Sequence, residues 1–187
     1  MSNVPNAELP KTVDPFRLAE QNSTLEGFVP VSALSRFAEV ILAASSSEPA
    51  QQCQVRLTFG KDEERRRIVD GELEAEVMLE CQRCMKPMAA TLESSFRLGL
   101  VTTDEQAQNL PRDLEPFLTE DFSVNLWTLV EDELLLVLPP FPLHERSDCQ
   151  ATEVLESFEP DPDEPDPAEE KRENPFSVLA DLKKNRH

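Results

Sequence analysis

The sequence predicts an α+β fold: an antiparallel β-meander with a cysteine-tipped hairpin, two main helices packed on one face, and a disordered acidic tail. Three observations carry this. Leu73, Ala75, Val77 and Leu79 alternate with Glu72, Glu74, Glu76, Met78 and Glu80; farther on, Met88, Ala90, Leu92, Ser94, Phe96, Leu98 and Leu100 alternate with Ala89, Thr91, Glu93, Ser95, Arg97 and Gly99. Successive strand side chains point to opposite faces, so each run reads as a half-buried strand. Between the runs, Cys81-Gln82-Arg83-Cys84-Met85-Lys86 is short enough to be a hairpin connection with both cysteines at its tip. Elsewhere two stretches repeat apolar residues at helical spacing, and one is so rich in proline and acid that packing cannot offset its ordering entropy.

Residues 1–26 contain Pro5, Pro10 and Pro15, too close together for a long helix, and read as an irregular N-terminal segment. A single α+β domain is expected over 27–150. Its first helix spans 32–44, where Leu34, Phe37, Ala38, Ile41 and Leu42 share a face behind a Ser32 cap and Ser45 to Pro49 break the helix. Val55, Leu57 and Phe59 mark a strand at 53–59, Gly60 to Glu63 its turn, and Arg65 to Val69 the start of the return strand. Asp70-Gly71 then reads as a turn or bulge before the hairpin. A short helix at 104–109 is stopped by Pro111. The second main helix carries Leu126, Leu129, Val130, Leu134, Val137 and Leu138 on one face, widened by Trp127. Asn125 caps it, Glu131-Asp132-Glu133 decorate its solvated side, and Pro139-Pro140 end it. Residues 151–173 are expected to be a disordered acidic linker. Residues 174–187 regain helical spacing behind Asn174-Pro175; so short a helix persists only by docking, which is expected on a partner, with Phe176 as anchor and Leu179 beside it.

Composition excludes several functions. With 37 acidic residues against 18 basic ones and a net charge of −19, the molecule repels phosphate, which disfavours tight autonomous binding of nucleic acid. Neither a secretory signal at residues 1–10 nor a membrane-length apolar block is found, so a soluble, cytoplasmic protein is expected. Four glycines leave no phosphate-cradling loop, and His144 is the one internal histidine. With the carboxylates assigned to solvated faces, the chain is not expected to be an enzyme.

Four cysteines in a reducing compartment point to free thiols, metal ligation or redox chemistry rather than to a disulfide framework. Cys81 and Cys84 form half of a tetrahedral thiolate site, and His144 with Cys149 provides a compatible second pair; one structural zinc ion is the metal hypothesis. The alternative is two reduced thiols in a turn, with Cys149 exposed and His144 solvated. A thiol-disulfide redox protein is the rival in the enzyme class, but it requires a helix N-terminus after the first cysteine, where strand alternation resumes instead. Cys53, at the start of a strand, reads as a small buried hydrophobe. Arg65, Arg66 and Arg67, together with Arg83 and Lys86, read either as a patch facing RNA or a partner on one side of the sheet region, or as solvated charge.

In combination these motifs resemble a known family. Leu79-Glu80-Cys81-Gln82-Arg83-Cys84 with Lys86-Pro87, Val130-Glu131-Asp132-Glu133-Leu134 running to Leu138-Pro139, Pro142-Leu143-His144 with Cys149, and Asn174-Pro175-Phe176-Ser177-Val178-Leu179 are similar to the YceD family of large ribosomal RNA subunit accumulation proteins. The resemblance covers most of residues 10–187. It implies a bacterial cytoplasmic factor needed for synthesis, processing or stability of 23S ribosomal RNA, and it carries over no catalytic residues. The zinc hypothesis rests on spacing alone. Charge and resemblance are reconciled if the acidic surface meets a basic ribosomal-assembly protein or an RNA-processing factor; direct contact with ribosomal RNA through the arginines is the other route.

Overall fold

Period-2 alternation builds the centre of the structure, a computed structural model that describes residues 7–43, 51–119 and 122–158. Five strands, β2 (Thr24–Pro30), β3 (Gln52–Lys61), β4 (Arg67–Glu80), β5 (Pro87–Val101) and β6 (Glu115–Leu118), form one sheet in the order β2-β3-β4-β5-β6. Register puts Val55, Leu73 and Ser94 in line across β3, β4 and β5, and Cys53, Ala75 and Leu92 in the next line. Val55, Leu73, Cys53, Ala75 and Leu92 are buried with Val77 and Leu79. On the other face, Glu72, Glu74, Glu76 and Glu80 are exposed, and Glu74 stands directly opposite Glu93. The fold is α+β, as expected.

Several elements differ from the sequence reading. The segment taken as irregular contains a short strand, β1 (Thr12–Val13), then helix α1 (Pro15–Glu20), and β2 begins within it at Thr24. Pro15 starts the helix instead of preventing one: it occupies the first turn, where its missing N–H is no loss, and the Asp14 carboxylate caps the amide of Arg17. The helix expected over 32–44 shrinks to a 3₁₀ turn (Val31–Ala33) and α2 (Ser35–Ala38). Its would-be continuation is used otherwise, because the Leu42 amide donates to the Met78 carbonyl and bridges β4 beyond the end of β3.

Asp70-Gly71 is neither turn nor bulge but lies inside β4. The Phe96 ring, directly across on β5, fills the space above Gly71, where a Cβ would fall 2.1 Å from the ring. The return strand starts at Arg67, leaving Arg65 and Arg66 in the turn. The meander is also incomplete, since β6 runs parallel to β5 after helix α3 (Asp104–Gln108), with Leu100 opposite Phe117. A second small sheet pairs β1 with β7 (Val124–Asn125).

Helix α4 (Leu126–Leu136) is capped by Asn125, whose side chain accepts from the amides of Trp127 and Thr128. Leu126, Leu129, Val130 and Leu134 join the sheet residues in one core, and the Trp127 indole donates to the Leu9 carbonyl. Glu131 and Glu133, expected in solvent, are buried at 6% and 8% exposure. Glu131 accepts the amides of Arg36 and Phe37 together with the Arg36 guanidinium, so it supplies the start of α2 with the acceptor that Leu34 cannot.

The chain divides into two compact units, Met1–Cys149 and Gln150–His187. In the second, the stretch expected as linker begins with helix α5 (Thr152–Glu156), which exposes Val154 and, just past its end, Phe158. The rest of the expected linker and the motif at 174–187, with Phe176 and Leu179, lie outside the described residues. Among the described residues no helix is long and apolar enough to cross a membrane.

Candidate metal centre

β4 and β5 remain paired up to Glu80 and Pro87, and the six residues between them turn the chain back. The Cys81 amide donates to the Lys86 carbonyl and the Met85 amide to the Cys81 carbonyl, closing the loop with Met85 in the left-handed region at φ 57°. Beyond α4 the chain passes over this loop. The Gln82 amide donates to the Pro142 carbonyl at 2.9 Å, and its side chain reaches the Pro140 carbonyl. Two prolines around Phe141 restrict the backbone there, so this strut delivers His144 to the hairpin from a fixed direction.

As a result Cys81, Cys84, His144 and Cys149 offer ligand atoms that all lie within 4.8 Å of one another. His144 Nδ1 is 3.3 Å from Cys84 Sγ, and the His144 amide donates to Cys81 Sγ at 3.4 Å. His144 Nε2 lies 3.1 Å from the Pro87 carbonyl. A carbonyl oxygen can only accept, so Nε2 carries the ring proton and the Nδ1 lone pair faces the sulfurs, the orientation a metal-binding histidine requires. The Pro87 carbonyl was not recognisable in advance, because a main-chain oxygen has no sequence signature.

The two thiols of the turn are held differently. Burial by itself would push Cys81 up, but the amides of His144, Cys84 and Arg83 and the Cys84 side chain outweigh it and hold its pKa down at about 5. Burial and the sulfurs of Cys81 and Cys149 push Cys84 up, against the Lys86 amide. Three sulfurs and one imidazole nitrogen make a Cys₃His set; tetrahedral zinc bonds of about 2.3 Å to sulfur and 2.0 Å to nitrogen place ligand atoms about 3.5–3.8 Å apart, so the widest pairs, within 4.8 Å, need to close by at most about 1 Å. The cluster can hold a metal ion.

Cys149 is buried and His144 half-buried, unlike the exposed and solvated pair of the alternative reading. After Cys84 the chain enters β5 directly, so the helix N-terminus that activates a redox cysteine pair is missing from this loop. Cys53 is fully buried in the core, where desolvation pushes its thiol up to about 12.

The basic residues do not form one patch. Arg65 to Arg67 lie at the β3–β4 turn, and Arg83 and Lys86 at the far end of β4, about 40 Å away along a strand of this length. Arg66 pairs with Asp62 and Glu64, and Arg67 pairs with Glu20, so most of the arginine run is spent inside the chain.

Comparison with known proteins places the chain in a family. The family described as Large ribosomal RNA subunit accumulation protein YceD matches residues 69–183, a stretch that includes the whole Cys and His cluster. A Haemophilus influenzae protein named Large ribosomal RNA subunit accumulation protein YceD is 36% identical over 177 residues, covering 94% of this chain and 97% of the relative. No solved structure matches. On the family match and on this near end-to-end similarity, the chain belongs to the YceD family.

Proposed function

We propose that this protein is a non-catalytic, cytoplasmic factor of large-subunit assembly that supports synthesis, processing or stability of 23S ribosomal RNA. The observation that carries the reading is the near full-length similarity to a relative named for large ribosomal RNA subunit accumulation. In this reading the action on RNA runs mainly through protein. The outer sheet face, with Glu72, Glu74, Glu76 and Glu80 exposed in one row, presents carboxylates to a basic ribosomal-assembly protein or an RNA-processing factor. The Cys81, Cys84, His144 and Cys149 cluster holds one structural zinc ion, which pins the strut after α4 to the hairpin. No residue is assigned a catalytic role.

Deletion of the gene tests the function. Mature 23S RNA should fall relative to 16S RNA, and a plasmid copy of the full chain should restore the ratio. An unchanged ratio under both normal growth and growth stress would refute the reading.

A further inference from the structure

Six of the thirteen cations of the described residues, Arg36, Arg56, Lys61, Arg66, Arg67 and Arg97, hold a carboxylate of the chain in a salt bridge. Arg83 and Lys86, on the loop between β4 and β5, join no ion pair among the described residues. Arg83 Nη1 is moreover shielded from water with no acceptor, an arrangement that an outside oxygen can relieve when the guanidinium turns onto it. Between these cations in the loop Met85 is exposed (63%), and the strut that hydrogen-bonds to Gln82 of the same loop exposes Phe141 (73%) and Leu143 (42%). Phe141 sits between Pro140 and Pro142, whose carbonyls tie it to Gln82, so the ring stands on a stiff mount.

We propose that this tip is a contact for single-stranded RNA, with phosphate oxygens on Arg83 and Lys86 and a base stacked on Phe141. The choice of ligand class rests on the ribosomal RNA reading above; the surface itself rests on the geometry. Phosphate is an acceptor without donors, which suits unpaired guanidinium and ammonium groups. An exposed aromatic ring beside such cations is a stacking platform that tolerates any base. The molecule as a whole is acidic and repels RNA, so a strand is held only where unpaired cations and a stacking surface occur together, as on this tip. With two cations the contact is weak, and it gains affinity only when a protein partner holds the factor against the particle.

The test is fluorescence anisotropy of the full chain with a labelled, mixed-sequence single-stranded RNA of about twelve nucleotides, titrated with salt from low ionic strength upward. Two phosphate contacts give a slope of log affinity against log salt of about −1.4. Lys86→Ala should reduce that slope by about 0.7. Phe141→Ala should weaken binding by about tenfold at every salt concentration and leave the slope unchanged. Because Arg83 lies between two cysteines of the cluster, Arg83→Ala is interpreted only alongside an unchanged melting temperature; the other two variants carry the test. Absence of binding at low salt, or binding indifferent to both Lys86→Ala and Phe141→Ala, overturns the proposal. Binding of an acidic peptide through these residues in preference to RNA also overturns it and assigns the tip to a protein. If the variants lose RNA while gene deletion leaves 23S RNA unchanged, the functional reading fails and this surface stands; the reverse result removes this surface alone.

Discussion

Glu131 and Glu133 stand two positions apart on α4, and their surroundings act on them in opposite directions. Burial would push Glu131 up, but the Arg36 guanidinium and the amides of Phe37 and Arg36 outweigh it and hold the carboxyl below its ordinary value. Burial pushes Glu133 up; the Ser94 hydroxyl counters this without cancelling it, and Glu115 and Asp132 add to the rise. A carboxyl whose folded pKa is depressed contributes stability above its unfolded pKa and loses it as pH falls through the folded value. Glu131→Gln should therefore destabilise the protein at pH 7 by about 2 kcal/mol, the worth of hydrogen bonds to a charged group. That penalty should shrink as pH falls below about 4.5. Glu133→Gln should be neutral or stabilising at pH 7, since it removes a charge whose ionisation is disfavoured by folding. Denaturant unfolding of both variants from pH 7 to pH 3 measures the contrast; a Glu131→Gln penalty that is constant with pH would show that the carboxylate charge is not what anchors α2.

Among the elements, the β4–β5 loop leans on a segment from elsewhere in the chain. Its backbone is closed by two hydrogen bonds and a left-handed Met85, and its other support comes from a strut that arrives after α4. A metal bond across the four ligands would join hairpin and strut, and structural zinc contributes directly to folding free energy. Protein purified without chelator should therefore contain one zinc ion per chain. Cys81→Ser should lose the metal and lower the melting temperature by several degrees, and a strong chelator should do the same to the parent protein. Metal content by atomic emission and melting by circular dichroism decide it; zinc-free protein that is indifferent to Cys81→Ser would mean that the cluster is only a set of packed thiols.

At the scale of the whole molecule, the described core runs from Leu9 to Cys149. The acidic sheet face and the cationic tip both belong to this unit, so its stability should not depend on the end of the chain. Deleting residues 174–187 should leave the melting temperature within about 2 °C, a shift worth less than about 1 kcal/mol for a domain of this size. Recovery of the assembly partner in pull-downs should nevertheless be lost, because the apolar spacing of Phe176, Leu179 and Leu182 reads as a docking motif. A large fall in melting temperature would assign that segment to the core instead.

What the sequence determined by itself is local. Strands β3, β4 and β5 and the capped helix α4 announce themselves through periodicity and Asn125, because strand alternation and helix capping operate over a few residues. The four cluster residues were also legible, since sulfur and imidazole in pairs have few other uses. Tertiary structure decided the rest. Whether 32–44 became a helix depended on Met78 offering its carbonyl to Leu42 and on Glu131 reaching the amides of α2, contacts between residues far apart in the chain. Whether Gly71 bent the chain depended on the Phe96 ring opposite it. A charge pattern likewise cannot tell a solvated carboxylate from one buried against a distant guanidinium, or a basic patch from arginines at opposite ends of a strand. Burial and pairing depend on which elements meet in space, and that is set by packing of the core as a whole.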